Sequence, residues 1–583
     1  MEQKLKEYFH QELSLLDNIF NGEFKELYPD ILKKSKLDPD VNSLLRGVAY
    51  LTAIIKQKID DDFPEIVQEL IRIIFPHQLR PVPSMTIISF KPNKTLINKK
   101  IIEREKTSLK SKPVKYEGRL TNCLFRTCYD VEIHPLELLS ASLGENSECY
   151  PTIKLSFKYK GLDINDWQIS KLRLYISGKN FVEATNLFFT LMVYLNKFII
   201  KTENEVTEFQ KEMFEPVGFS EDDAVIPYPA NAFWAYRVLQ EYFILPQKFL
   251  FVDLKGLDSW KTKSETFDII FELKDIPNIL TSINESNFVL FATPAINLFS
   301  CDANPITLDH KTKKYRLSPN TEEYCQVFSI ENIIGHIHGV EKKREYVSFD
   351  NIIGKDSFKP VYTTHIEKES TESNKDEFNL SLSFLYNDKL SIQKETIFAD
   401  LLCTNGFLPE RLEEGSITEK TYTSPDKVIF ENIIACTHNI LPPDNKNSLW
   451  HLISHLSLNY LSLEKTNNLK SLLKNFSTMN NSAMGNQFST NSSKKIESIE
   501  KVSSKPFDEI VDGVMMRGKE ITIEANSDFF MSKGDFYLFG CILNFFISSY
   551  ASLNTFTKLV LKDVRSKNIS FQWKSKIGER IQI

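Results

Sequence analysis

The chain has 583 residues, more than one hydrophobic core can organise, and 42% of them are hydrophobic. With 43 Phe against 19 Gly, apolar area is plentiful and pliant backbone is scarce. A net charge of −6 lacks the basic excess of a dedicated nucleic-acid binder, and eight scattered cysteines without a CxxC pair exclude a disulfide scaffold, so the thiols are expected to be reduced and mostly buried in a cytosol.

The opening residues, MEQKLKEYFHQEL, are charged and amphipathic and lack the apolar segment of a signal peptide. Leu5, Tyr8, Phe9, Leu13, Leu16 and Phe20 recur at spacings of three and four, which predicts an amphipathic helix. A second helix starts at Asp38, a capping residue, with Pro39 at its first turn. Its apolar stripe is Val41, Leu44, Leu45, Val48, Leu51, Ile55 and Ile59, and it would be about 30 Å long. Phe63–Pro64 breaks it, because the residue before proline avoids helical dihedrals. A third helix over Glu65–Phe75 ends at Pro76, and Pro81 and Pro83 prevent its continuation.

From Met85 the apolar period changes to two. MTIISF, TIKLSFKY and KLRLYIS read as strands, as do KFLFVDL, TFDIIFEL, NFVLFAT, KKYRLS and EYVSF. Helices are predicted over Val182–Tyr194, Ala230–Phe243, Leu449–Leu463 and Tyr537–Ser552, and strands over Glu520–Glu524 and Lys558–Lys562. The uncharged runs Leu187–Leu195 and Tyr537–Leu553 stop short of the roughly 20 residues a membrane span requires, so both read as buried core helices. The polar stretch His365–Glu377 reads as a linker, and the Ser/Asn-rich stretch Ser477–Pro506 as a mobile insertion. The fold class expected is α+β and multidomain: a helical segment over 1–82, β-rich domains over 83–255 and 256–364, a linker over 365–377, and a C-terminal α+β domain over 378–583 with its insertion at 477–506.

The search for chemistry finds little. His451 and His455 share a helix face but lack the glutamate of HExxH and a third ligand. His336 and His338 would share one side of a strand beside Gly335 and Gly339, where a turn-edge role is the plainer reading. Asp60, Asp61 and Asp62 could hold a hard cation, but they lie between two helices, where Asp62 suits the positive end of the next. The basic stretch Lys99–Lys115 reads as a solvated hairpin or loop. No phosphate-binding loop, nucleophile elbow or dinucleotide fingerprint is present, and no carboxylate pair stands out as a glycosidase couple. No metal, cofactor or catalytic residue is therefore expected, although a ligand- or glycan-binding module around Trp234 and Tyr236, or a cell-wall hydrolase, remain alternatives.

The segment Leu44–Phe90, LLRGVAYLTAIIKQKIDDDFPEIVQELIRIIFPHQLRPVPSMTIISF, resembles the amino-terminal signature of the TssF (VasA/ImpG) family of type VI secretion systems. The matching positions are Asp61, Asp62, Phe63, Pro64, Glu65, Pro76, His77, Pro81, Pro83, Ser84 and Met85, with Phe75 where the family usually has tyrosine. Further resemblance follows in chain order: Phe125, Arg126, Thr127, Tyr129 and Asp130; then Tyr236, Arg237, Glu241 and Tyr242; then Asn297 within TPAINLF. LCTNGFLP is similar except for Gly406, where an arginine is common, and Asn459, Gly540 and Asn554 complete the set. The resemblance implies a structural, non-enzymatic subunit of the baseplate wedge. It would join TssG, two copies of this chain per TssG, together with TssK, TssE, neighbouring wedges and the spike. It implies a cytoplasmic protein at an inner-membrane-docked baseplate, where the contractile sheath polymerises, with no nucleic-acid partner and no membrane insertion of its own. In such wedges the amino-terminal helices join a shared bundle, which makes Leu44, Leu45, Val48, Leu51, Ile55 and Ile59 the expected partner-facing stripe.

Overall fold

The computed structural model describes Phe9, Gly47, Tyr50, Leu51 and Ala53, and then residues 76–578 apart from 117, 162–163, 165–166, 230–231, 262–263, 278–279, 281, 310, 322, 340–342, 350–358, 371–375, 386–393, 443–464, 479–485, 512–513, 550, 552–554 and 567–569. The chain divides into two compact units, Met1–Pro76 with Pro443–Leu456, and His77–Pro442 with Ser457–Ile583.

In the first unit, the five described residues up to Ala53 are all helical. The rings of Phe9 and Tyr50 meet edge-on at 6.4 Å. Ala53 is fully buried, whereas Leu51 is 61% exposed. The rest of the expected N-terminal helices, and the helix expected over Leu449–Leu463, lie outside the described residues.

The second unit is predominantly β, with five α-helices among the described residues. Its central sheet has six strands, in the order Ile417–Lys420, Ser108–Tyr116, Arg119–Thr127, Ala292–Ile296, Met85–Pro92 and Val428–Asn432. MTIISF is buried on both faces, which is why it reads as a continuous apolar run. A five-stranded sheet follows, in the order Val206–Gln210, Leu195–Lys201, Thr266–Leu273, Pro151–Tyr159 and Leu136–Glu145. A four-stranded one contains Phe214–Val217, Phe251–Leu254, Leu172–Ile176 and Phe288–Leu290.

These sheets correct the expected boundary at 255. Thr266–Leu273 pairs with both Pro151–Tyr159 and Leu195–Lys201, and Ala292–Ile296 and Val428–Asn432 flank Met85–Pro92. Strand pairing is set by long-range register, which local sequence does not encode, so linear cuts between 83 and 364 fall inside sheets.

A second hydrophobic cluster gathers Leu308, Ile333, Tyr346, Leu382, Ile397, Leu401 and Cys403. It lies under two further sheets, one built on Glu395–Thr404 and Gln326–Ile337, the other on Val361–Ser370 and Asp376–Leu385. The linker expected over 365–377 is corrected here. Its described residues belong to a hairpin whose register runs from Val361↔Leu385 to Ser370↔Asp376. A hairpin can carry the same polar composition as a linker, so composition could not tell the two apart.

The helices are α1 (Phe181–Tyr194), α2 (Ala235–Ile244), α3 (Thr466–Thr478), α4 (Asn486–Glu497) and α5 (Lys533–Ser549). Asn180 caps α1 through its side chain and the Glu183 N–H at 2.9 Å. Helix α2 begins at Ala235, five residues later than expected. Helices α1 and α5 hold the two apolar runs as buried core helices, and they approach so closely that a Cβ on Gly534 would stand 2.2 Å from the Thr185 carbonyl oxygen. No helix among the described residues is long and apolar enough to cross a membrane.

The mobile insertion expected over 477–506 is also corrected. Helix α4 and the strand Ile499–Val511 occupy most of it. Ile496 and Ile499 are fully buried, and Lys495 is nearly so. A few buried anchors offset an ordering entropy that the polar composition alone does not. The strand pairs with Val514–Ala525, which runs parallel to Phe556–Asp563, and α5 lies in the connection between these two parallel strands.

Candidate functional site

Of the expected partner-facing stripe, only Leu51 is described, and it is exposed. Leu44, Leu45, Val48, Ile55 and Ile59 lie outside the described residues, as do Asp60, Asp61, Asp62, Phe63, Pro64, Glu65, His451, His455, Asn459 and Asn554. The remaining family positions do not gather around a cleft. They build three buried joints between distant parts of the chain.

The first joint is centred on α2. Glu241 accepts hydrogen bonds from the Val225 and Ile226 N–H groups at 2.9 and 2.8 Å, and its second oxygen receives the Lys248 ammonium. Both side chains are fully buried, and burial pushes the Lys248 amine below the ordinary lysine range against the pull of Glu241. Arg237, one turn earlier, donates to the carbonyls of Ser220 and Glu221 at 3.4 and 2.9 Å. The loop from Gly218 to Tyr228 is thus fastened by Glu241 and Arg237, and Lys248 neutralises the acid. His77, in the turn Pro76–Leu79, stacks on Tyr228 at 4.5 Å, and burial, seconded by Arg80, lowers its pKa to about 3. Tyr236 stacks on Phe476 at 5.5 Å, so it is a packing residue and not an exposed ligand platform.

The second joint lies at the central sheet. Asn297 is fully buried: it donates to the Leu124 carbonyl at 2.7 Å and to the Asn405 carboxamide at 2.9 Å, and it accepts from Thr404 and the Asn405 N–H at 2.7 Å each. Its own N–H donates to the Ser84 carbonyl at 2.9 Å, just after Pro81 and Pro83, and the Met85 N–H donates to Thr437 at 2.9 Å. Phe125 and Thr127 are buried, with Arg126 between them. Thr127 donates to the Glu103 carbonyl at 3.2 Å, and Asp130 accepts from the Arg104 N–H at 2.7 Å. The Tyr129 ring lies beneath the Arg173 guanidinium at 5.3 Å.

The third joint ties α4 to α5 and α2. The Lys495 ammonium reaches Asp535 at 2.6 Å and the Tyr242 hydroxyl at 3.2 Å. Gly540 lies in α5 where a Cβ would meet Trp573 at 2.4 Å. Sequence reasoning singled out Glu241, Tyr242 and Asn297 but missed their partners Lys248, Asn405, Lys495 and Asp535. One signal was available: Lys248 interrupts the apolar run LPQKFLF, and a lysine there must find a buried anion.

Among the described residues, no group of three or more His, Cys, Asp or Glu is arranged to hold a metal ion. His336 packs its ring edge-on against Phe398 at 5.3 Å, and His338 hydrogen-bonds Thr396 at 2.9 Å. An open groove of about 900 Å³ is lined by Phe90, Leu96, Leu136, Phe288 and Phe291. Of its lysines, Lys91 pairs with Glu431 and Lys160 with Glu137.

A family model described as "Type VI secretion system, TssF" matches residues 1–580. The type VI secretion system component TssF1 of Pseudomonas aeruginosa is 27% identical, with 100% of both chains covered. A chain of a solved TssK-TssF-TssG baseplate subcomplex of the type VI secretion system shares the fold with a TM-score of 0.76 at 23% identity, over 93% of this chain and 99% of that one. A chain of a solved type VI secretion baseplate complex shares it at 0.64 and 21% identity, over 99% and 100%. With a family model running along essentially its whole length and a full-length relative of the same family, this chain belongs to the TssF family of type VI secretion proteins.

Proposed function

We propose that this chain is a structural subunit of the type VI secretion baseplate wedge, a protein that joins partners and turns over no substrate. The observation that carries the reading is the fold shared over 93% of the chain with a subunit of a TssK-TssF-TssG baseplate subcomplex. Buried polar joints suit such a role, since a part that transmits mechanical load needs its segments fastened to one another. Paired buried polar groups fix one arrangement, because every misaligned alternative leaves a donor or acceptor unmet.

In this reading TssG is the direct partner, at two copies of this chain per TssG. TssK and TssE complete the wedge, and neighbouring wedges and the spike form its surroundings. The assembly sits in the cytoplasm, docked at the inner membrane, and is the platform on which the sheath polymerises. The stripe Leu44, Leu45, Val48, Leu51, Ile55 and Ile59 is the surface offered to the partner's helices, which the 61% exposure of Leu51 supports. Native mass spectrometry of this chain expressed with and without its cognate TssG tests the reading. A discrete complex with two copies per TssG is the expected product, and a monomer indifferent to TssG sinks the proposal.

A further inference from the structure

Three thiols, Cys301, Cys325 and Cys403, meet in the second hydrophobic cluster. Cys403 is fully buried in Glu395–Thr404, between the strands Phe299–Asp302 and Gln326–Ile337. Phe299 and Val327 lie opposite it in register. Cys301 is two residues from Phe299 within its strand, hence on the same side of the sheet as Cys403, and Cys325 lies two residues before Val327 against the same cluster. Both pack against the buried cluster that contains Cys403. Cys301 and Cys325 are partly exposed, so a small reagent can reach the cluster from solvent.

We propose that Cys325 and Cys403 form a peroxide-responsive thiol pair, with Cys325 as the attacking sulfur and Cys403 as the resolving one. The flanking positions are not equivalent. Cys301 lies inside a strand ladder, where a diagonal neighbour is held at about 7 Å between Cα atoms, at the edge of disulfide reach. Cys325 lies one residue before the paired Gln326, so no ladder pairing fixes its own backbone. The neighbouring Cys403 also holds the Cys325 thiol below the ordinary range, whereas Cys403 is itself pushed up.

The Cys325 thiolate attacks one oxygen of hydrogen peroxide, cleaving the O–O bond to give a sulfenic acid and hydroxide. The Cys403 sulfur then displaces the sulfenic oxygen, which leaves as water with the Cys403 proton. The hydroxide takes up the proton that Cys325 first released, so two thiols and one peroxide become one disulfide and two waters. The bond would pin Tyr324–Gln326 onto the turn after Cys403, where Asn405 already donates to the Tyr324 carbonyl at 3.1 Å.

The test treats the folded full-length chain with hydrogen peroxide and maps its peptides by mass spectrometry without reduction. The expected product has lost two hydrogens and contains a Cys325–Cys403 cross-linked peptide that dithiothreitol reverses. In Cys403→Ser, dimedone should label Cys325 as a sulfenic acid, and in Cys325→Ser the cross-link should vanish. Wild-type protein oxidised at the exposed Cys149 while Cys325 and Cys403 stay unlinked would overturn the proposal, as would a Cys301–Cys403 link in place of the expected one. The wild-type arm depends on no variant folding.

Discussion

The side-chain oxygen of Asn297 accepts the backbone N–H of Asn405 at 2.7 Å, across 108 positions of sequence. One carboxamide therefore satisfies the Asn405 N–H, the Thr404 hydroxyl and the Leu124 carbonyl at a point closed to water. Asn297→Ala strands all three groups, and each buried orphan costs about 1–3 kcal/mol. Allowing for partial relaxation, we expect a loss of roughly 3–5 kcal/mol in urea unfolding. A loss below about 0.5 kcal/mol, the range of ordinary surface changes, would show that the network does not fasten the sheet.

The Glu241–Lys248 pair gives a second expectation. Removing one charge leaves the other buried without its partner, so Glu241→Gln and Lys248→Met should each destabilise by about 3–5 kcal/mol. The double variant should lose clearly less than the sum of the two, because neither member of the pair is left without the other. Strict additivity in the double-mutant cycle would contradict a direct pairing.

Protonation provides a third. Burial holds His77 at a pKa of about 3 and His134 at about 4, both below the ordinary 6.5. The unfolded histidines take up protons that the folded ones refuse. The stability they contribute is therefore complete above pH 6.5 and is lost as pH falls toward their folded values. Each should steepen the decline by about 1.4 kcal/mol per pH unit between about pH 6 and 5. Denaturant unfolding of wild type and His77→Gln across this window reads the difference in slope, and identical slopes would mean that His77 titrates normally in the fold.

Gly540 tests close packing. Gly→Ala within a helix ordinarily stabilises by roughly 0.5–1 kcal/mol. In α5 the added Cβ would stand 2.4 Å from Trp573 and 2.9 Å from Leu561, so the sign should reverse, to a loss of about 1–3 kcal/mol. Trp573→Leu placed with Gly540→Ala should recover part of it in thermal unfolding, and a stabilised single variant would contradict the contact.

The partner-facing stripe gives the last. Val48→Asp, Leu51→Asp and Ile55→Asp together should abolish co-purification with TssG while circular dichroism keeps the β signal of the second unit. Burying three unpaired carboxylates against a partner helix would cost several kcal/mol, about 2–7 for even one unmet polar group. Retained co-purification would move the interface elsewhere.

Much of this protein is written in local pattern. The strands at MTIISF, TIKLSFKY and TFDIIFEL and helix α1 form where the apolar period places them, because side-chain alternation and helical facing are properties of neighbouring residues. The spread of family motifs along the chain was legible for the same reason: a motif is read in sequence order. Tertiary structure alone decided what those motifs do. It set Asn297 on Asn405, Glu241 on Lys248 and Lys495 on Asp535, and it turned two polar stretches, the apparent linkers, into a hairpin and a helix with its strand. Composition measures how much apolar area a segment holds. The fold decides whether the few apolar or charged groups it does hold meet a buried partner, and that meeting is what offsets the entropy of ordering the segment.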